Sequence, residues 1–593
     1  MHILGISCFY HDAAAALLRD GQLVAAADEE RFSRRKHDSG FPANAVAFCL
    51  RQGGIGAGDL DYVVFYEKPF PKFERILRTA LASFPRSCSV FRESMMTWLS
   101  EKLWIRSIIL DKVGVSPDKL LFVDHHVAHA ASALFCSPFE EAAILTVDGV
   151  GEWTTTAVGR GTATFDGNGR NDIILEKETR FPHSLGLLYS AFTAWLGFEV
   201  NEGEYKVMGM APYGQPRYLD RVDKLITVYD DGSFWLDMDY FDYHRSPTQT
   251  YSRRFADLFG APRQKDSLFV TLQTDPDTDA LRPLIEQNQY YADVAASIQR
   301  KTEEVILRLC HNLHRDTGLT RLCMGGGVAL NSVANGRILR ETGFTDLFIQ
   351  PAAGDPGGAL GAALYVWHVL LGKPRTFVLE HAYWGEEFSD GEVKRFLDQE
   401  GVSYQAFDNA GRLVRAVADD LEAGKVIGWS QGRFEWGPRA LGHRSILADP
   451  RSAEMKDLVN SKIKFREPFR PFAPVILEER ASEFFEGLDE PARQYPARYM
   501  LLVLPWKGDA GDLIPAVNHM GTGRLQTVRR EWNPLYYDVV KEFGDRTGVP
   551  VVMNTSFNLR GEPIVNSPAD AYSTFVRSGI DCLRMGSFLI RKA

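Results

Sequence analysis

The 593-residue chain has no run of about eighteen apolar residues, so it offers no segment that reads as a membrane-spanning helix. No secretory leader is expected either. The start, "MHILGISCFYHD", lacks a basic flank and a long apolar core and reads instead as a strand cut off by His11 and Asp12; a cytoplasmic site is expected. The seven cysteines (8, 49, 88, 136, 310, 323 and 582) include no C-x-x-C pair, and their odd number disfavours a disulfide framework or a zinc ribbon; reduced thiols are expected. G-x-G-x-x-G spacing is absent, which argues against a dinucleotide-binding fold. Positive charge is not in excess either: 67 Lys/Arg against 77 Asp/Glu leave −10, with no general attraction for nucleic acid or anionic lipid.

What is present is ordinary for a globular protein, with 45% hydrophobic and 24% charged residues, over a length that calls for two or more domains. "HILGISCFYHDAAAALLRDGQLVAAADEERFSR" reads as a strand, a loop at 7 to 12 and a hairpin turning at "RDGQ". "AAILTVDGVGEWTTTAVG" repeats the scheme with a glycine turn at Asp148 to Gly151, which suggests two related halves. Two strand-to-loop-to-helix passages follow, "RLCMGGGVALNSVANGRIL" and "LFIQPAAGDPGGALGAALYVW". Glycine-rich turns at helix starts let backbone N–H groups approach a phosphate. The "DGVG" and "GGGVALN" turns follow each other in an order that resembles the actin and sugar-kinase ATPase superfold. The pattern changes after "LLGKPR", and a domain boundary is expected near 375 to 385, giving domains 1–375 and 376–593.

In "DHHVAHAAS", His125 and His129 stand four apart, which on a helix puts both imidazoles on one face within reach of one ion. The glutamate of H-E-x-x-H is absent, which leaves a zincin-type protease without its base. Carboxylates at strand ends, Asp148 and Asp355, can complete a mixed N/O site suited to Fe(II), Zn or Mn. A second concentration of charge runs from Gln431 to Phe472, with nine Lys/Arg against five Asp/Glu, and suits a local anion such as phosphate.

"CFYHDAAAALLRDG", "ADEERFSRRKH", "DHHVAHAASAL", "TVDGVGEW", "GEYKVMGMAPYG", "GGGVALN", "GDPGGALGAAL", "GRFEWGPRALGHRSILADPR", "KFREPFRPFAP" and "NTSFNLRGEPIV" together resemble the O-carbamoyltransferase family, which includes nodulation-factor and tobramycin carbamoyltransferases. The resemblance implies an α/β chain: an N-terminal, duplicated actin/sugar-kinase-like domain and a C-terminal YrdC-like α/β domain. It implies that the C-terminal domain makes carbamoyl-adenylate from carbamoyl phosphate and ATP with Mg2+, and that the N-terminal domain passes the carbamoyl group to an alcohol. On the family pattern His125, His129 and Asp355 would hold Fe(II) or Zn(II), with Asp148 as a further ligand or acting through water. Gly325, Gly326, Gly327 and Asn331 would line the adenosine, and His11 would contact the acceptor and take its proton. Arg439, Lys464 and Arg470, with Arg524, would bind phosphate, and Asn554 and Ser556 would add hydrogen bonds.

Two departures stand out. "GISCFYHD" lacks the D-x-G of true sugar kinases, and Met210 replaces an expected leucine. The expected partner is a small-molecule hydroxyl acceptor, natural product or sugar, with neither nucleic acid nor membrane; a homodimer is an open option. The rival readings are a tRNA threonylcarbamoylation-type enzyme, a sugar-kinase-like ATPase and a non-catalytic nucleotide-binding regulator.

Overall fold

The computed structural model describes residues 1–100, 102–166, 170–246 and 248–592. The chain divides into two compact units. One comprises Met1–Ala25 with Ser39–Val378, the other Ala26–Asp38 with Leu379–Ala593. The division falls close to the expected boundary but assigns 26–38 to the second unit. The bonds of that segment show why: Ala26 N donates to Trp384 O (3.2 Å), Arg31 to Gly437 O (2.9 Å), and Arg34 to Ile564 O (2.7 Å) and Pro563 O (2.9 Å).

The first unit holds two five-stranded sheets. In one, β1 (His2–Ser7), β2 (Ala14–Arg19), β3 (Gln22–Asp28, of which Ala26–Asp28 count with the second unit), β4 (Tyr62–Phe65) and β5 (Leu120–Phe122) run in the order β3-β2-β1-β4-β5. In the other, β6 (Glu141–Val147), β7 (Thr154–Thr162), β8 (Asp172–Arg180), β11 (Arg321–Gly325) and β12 (Asp346–Ile349) run β8-β7-β6-β11-β12, with a small β9 (Ile226–Val228) and β10 (Phe234–Leu236) ribbon between them in sequence. Each sheet has its first strand antiparallel to the second and parallel to the fourth, and its fourth parallel to the fifth. The shared order and sense make the unit a duplication with the actin/sugar-kinase topology. The "RDGQ" hairpin closes with Asp20 and Gly21 both at positive φ (49° and 80°), the backbone that a two-residue hairpin turn requires.

Two helices meet between these sheets. His125–Leu134 is built almost wholly of small residues and histidine, and it lies against Asp355–Tyr365. At Gly361 a Cβ would stand 1.9 Å from Ala128 O, so only glycine permits this approach.

The second unit is a mixed α/β layer. Its strands are β13 (Gln405–Ala406), β14 (Ile427–Ser430), β15 (Arg444–Ala448), β16 (Ala473–Leu477), β17 (Leu502–Pro505), β18 (Thr522–Val528), β19 (Val551–Ser556), β20 (Cys582–Met585) and β21 (Phe588–Arg591). They form one sheet in the order β13-β21-β20-β14-β15-β19-β16-β18-β17. The helices Ala410–Glu422 and Pro534–Thr547 pack a core of Leu413, Val417, Leu421, Val540 and Phe543 against strand residues Ile427, Trp429, Leu447 and Val475. All seven cysteines are free thiols, and among the described residues no helix is long and apolar enough to cross a membrane.

Candidate active site

His125 and His129 project from the first turns of their helix, Asp148 follows β6, and Asp355 opens the Asp355–Tyr365 helix. All four are buried, and one donor atom from each lies within 4.8 Å of the others. His125 Nε2 is 2.8 Å from Asp148 Oδ2, 3.0 Å from His129 Nε2 and 3.7 Å from Asp355 Oδ1. His129 Nε2 is 3.4 Å from Asp148 Oδ2 and 3.6 Å from Asp355 Oδ1. Donors held about 2.1 Å from a single ion stand about 3.0 to 3.4 Å apart in octahedral or tetrahedral sets, so these spacings fit one divalent metal. Two imidazoles and two carboxylates also match the chemistry of an Fe(II) or Zn(II) donor set.

The electrostatics agree with this arrangement. For the metal-free site, burial pushes the His129 pKa down, but its contacts with Asp148 and Asp355 outweigh burial and raise it to about 9. Burial raises Asp148, yet the two histidines hold it well below the usual carboxylate range. His126 plays a different part. Its Nδ1 meets Thr146 Oγ1 at 2.8 Å and its Nε2 meets Thr154 O at 2.9 Å, while burial lowers its pKa to about 3, so it is a neutral core histidine.

Neighbouring turns hold these side chains in place. Gly327 N donates to Asp148 Oδ1 (2.9 Å), so the glycine loop after β11 fixes one oxygen while the other faces the histidines. Gly326, at φ 93°, lets the loop turn there. Gly325 ends β11 against His129 O, where a Cβ would stand 2.8 Å away. Asn331 caps the Ser332–Glu341 helix by accepting from Ala334 N (3.2 Å), and its amide donates to Gln299 Oε1 (3.1 Å). Two residues escaped the sequence reading. Glu152 accepts from His125 N (3.1 Å) and Lys68 N (2.8 Å), capping the helix that carries the histidines; Tyr66 sets its hydroxyl 3.5 Å from Asp355 Oδ2. Glu152 stood inside the motif "TVDGVGEW", but its capping role depends on a fold contact with a helix 27 residues away.

His11 lies in the loop after β1, with Nδ1 2.5 Å from Asp12 Oδ2. Burial opposes protonation, but the Asp12 hydrogen bond and charge, aided by Asp355 and Glu204, raise its pKa to about 9. The adjacent carboxylate therefore holds the proton on an imidazole that would otherwise titrate near pH 6.5.

In the second unit Lys464 is buried and donates to Ser556 O (2.6 Å) and Oγ (3.2 Å) and to Asn558 O (3.0 Å) and Oδ1 (2.8 Å). Burial, then the charges of Arg466, Arg470 and Lys36, push its pKa well below the usual lysine value. Ser556 and Asn558 thus hold the Lys464 amine, and the charges of Arg466, Arg470 and Lys36 act on it; Arg466, Asn558 and Lys36 were not singled out from the sequence. Asn554 is fully buried, and its amide donates to Ala440 O (3.0 Å) and Gln526 Oε1 (2.7 Å). Those partners adjoin Arg439 in the chain and lie two residues from Arg524 on β18, so Asn554 anchors the backbone that carries both arginines. Glu435 organises the same loop by accepting from Leu441 N (2.8 Å), His443 N (2.7 Å) and Arg444 N (3.1 Å).

Two family models match the chain, Carbamoyltransferase N-terminus over residues 2–364 and Carbamoyltransferase C-terminus over residues 418–592. The chain belongs to the carbamoyltransferase family. Among its relatives are the uncharacterized protein sll1178 of Synechocystis, 46% identical over 100% of this chain and 97% of its own, and the nodulation protein NolNO of Sinorhizobium fredii, 38% identical over 98% and 79%. Nodulation protein U of Rhizobium tropici is 29% identical over 95% of this chain and 91% of its own. Component A of the Acidaminococcus fermentans (R)-2-hydroxyglutaryl-CoA dehydratase is a distant structural match, with 15% identity, 62% of this chain and 98% of that one covered, and a TM-score of 0.32, too low to bear on function.

Proposed function

We propose that this carbamoyltransferase is ATP-dependent, makes carbamoyl-adenylate in its second unit and transfers the carbamoyl group in its first unit to a hydroxyl of a small-molecule acceptor, natural product or sugar. Family membership supports the carbamoyl chemistry. The observation that carries the transfer site is the convergence of His125, His129, Asp148 and Asp355 at spacings that fit one metal. In the first step water cleaves carbamoyl phosphate to carbamate and phosphate; the carbamate oxygen then attacks the α-phosphorus of ATP, and pyrophosphate leaves with its Mg2+. In the second step the acceptor oxygen bonds to the carbamoyl carbon, AMP departs, and the acceptor proton passes to a base.

Bound to the four residues, Fe(II) or Zn(II) would supply Lewis-acid stabilisation of developing negative charge. The chain's own groups do the rest. The glycine loop of Gly325 to Gly327 lines the nucleotide side while Gly327 N–H holds Asp148, and His11, steered by Asp12, faces the acceptor proton. Lys464, Arg470, Arg439 and Arg524 hold phosphate oxygens, and Ser556 lies on the Lys464 ammonium. Carbamate decomposes in water, so burial of both sites serves the chemistry.

The test is a pair of variants assayed for carbamoyl-phosphate-dependent pyrophosphate release and for transfer. Arg470→Ala should stop pyrophosphate release, whereas His129→Ala should keep it, lose the metal and block transfer. Equal loss of pyrophosphate release in both variants would contradict the division of labour.

A further inference from the structure

The helix Pro69–Ala82 begins just after Tyr66 and Glu67 and carries a cation that the scheme above does not use. Arg75 is only 6% exposed, and its Nη1 is enclosed without a hydrogen-bond partner among the described residues. No ion pair or hydrogen bond to any described residue engages the guanidinium, whose carbon sits 4.9 Å from the ring centre of Phe181. The neighbouring charges are already committed. Glu67 is paired with Lys72 at 2.6 Å, both buried, and Glu152 accepts the N–H groups of His125 and Lys68. A buried guanidinium with five donors and no acceptor is costly unless an oxygen ligand completes it.

Its position ties it to the transfer site. Just ahead of the helix, Tyr66 sets its hydroxyl 3.5 Å from Asp355 Oδ2, and Glu152 accepts both from Lys68 N (2.8 Å) and from His125 N (3.1 Å). On the helix itself the Lys72 ammonium rests 4.4 Å from the centre of the Tyr10 ring, and Arg75 follows about one turn later. The guanidinium carbon lies over the Phe181 ring and Nη1 has no partner, and a planar fork of N–H donors suits two oxygens of a phosphate or carboxylate.

We propose that Arg75 is an oxyanion-binding residue of the transfer site, taking a phosphate or carboxylate that lies beside the His125, His129, Asp148 and Asp355 cluster. The location rests on the reading of that cluster as the place of transfer. The oxyanion has two sources, the phosphate of the activated donor or an acidic group on the acceptor.

The experiment is calorimetric titration of the full-length, metal-loaded protein with AMP, adenosine and inorganic phosphate, in the wild type, Arg75→Met and Arg75→Lys. Phosphate taken up by the second unit contributes equally in all three chains, so the difference isolates Arg75. Loss of charged hydrogen bonds predicts a roughly ten- to hundredfold weakening in Arg75→Met and a smaller one in Arg75→Lys. Weakening for AMP with adenosine unchanged assigns the donor phosphate; weakening for phosphate with AMP unchanged assigns an acceptor group. Wild-type affinity for both anions in Arg75→Met overturns the proposal, as does an equal loss of adenosine binding. If Arg75→Met does not fold, the same criteria apply to Arg75→Lys. Because binding is measured directly, the outcome stands apart from whether pyrophosphate release or carbamoyl transfer is observed.

Discussion

His11 shows how one neighbour changes a residue's chemistry. With its pKa raised to about 9, only about one part in a hundred is in the base form at pH 7. A raised pKa means the proton is held until the pH passes it, so transfer should rise about tenfold per pH unit through the neutral range and level off near pH 9. His11→Ala should lower transfer by about 10² to 10⁴ while sparing metal content and pyrophosphate release. His11→Asn, which cannot take a proton, should be as slow and should lose the pH slope; an Asn variant with near-normal transfer would leave His11 a binding residue only. At the metal cluster the sign is similar. His129 holds a proton up to about pH 9 in the metal-free site, so the metal must displace it, and affinity should fall about tenfold per unit as pH drops below that value. Equilibrium dialysis between pH 6 and 9 checks this, and a flat profile would contradict it.

At the scale of elements, the approach of two helices carries the proposed ligand set. Gly361→Ala puts a methyl group 1.9 Å from Ala128 O, so the helices must part. The expected result is a loss of about 1 to 3 kcal/mol in stability together with weaker metal retention, read by thermal unfolding and elemental analysis. Full metal content at wild-type stability would show that the helix contact does not position the ligands. These elements were legible because their signals are local: four-residue histidine spacing, apolar strands ending in Asp148 and near Asp355, and glycines at the turns. Glu152 and Tyr66 were not legible as site residues, since each acquires its role from a side chain or helix end brought close only by the fold. Asn554 was read as a ligand contact because it shares "NTSFN" with Ser556; what that local motif could not report is that its buried amide donates to Ala440 O and to the Gln526 side chain.

Across the molecule, the duplicated order of the two sheets was foreshadowed by a repeated strand, turn and strand pattern, whereas the allegiance of residues 26–38 was not. Arg31 and Arg34 bond to carbonyls about 400 to 530 positions later, a separation that local pattern cannot report. That segment also carries Lys36, whose charge acts on Lys464, so part of the second unit's charge comes from the N-terminal chain. The account as a whole rests on adenylate chemistry joined to carbamoyl transfer, and this differs from phosphoryl transfer in its nucleotide product. The most direct measurement is phosphorus NMR of the purified protein incubated with ATP, Mg2+ and carbamoyl phosphate. The account predicts pyrophosphate and AMP, formed only when carbamoyl phosphate is present; ADP as the nucleotide product, or no dependence on carbamoyl phosphate, would contradict it.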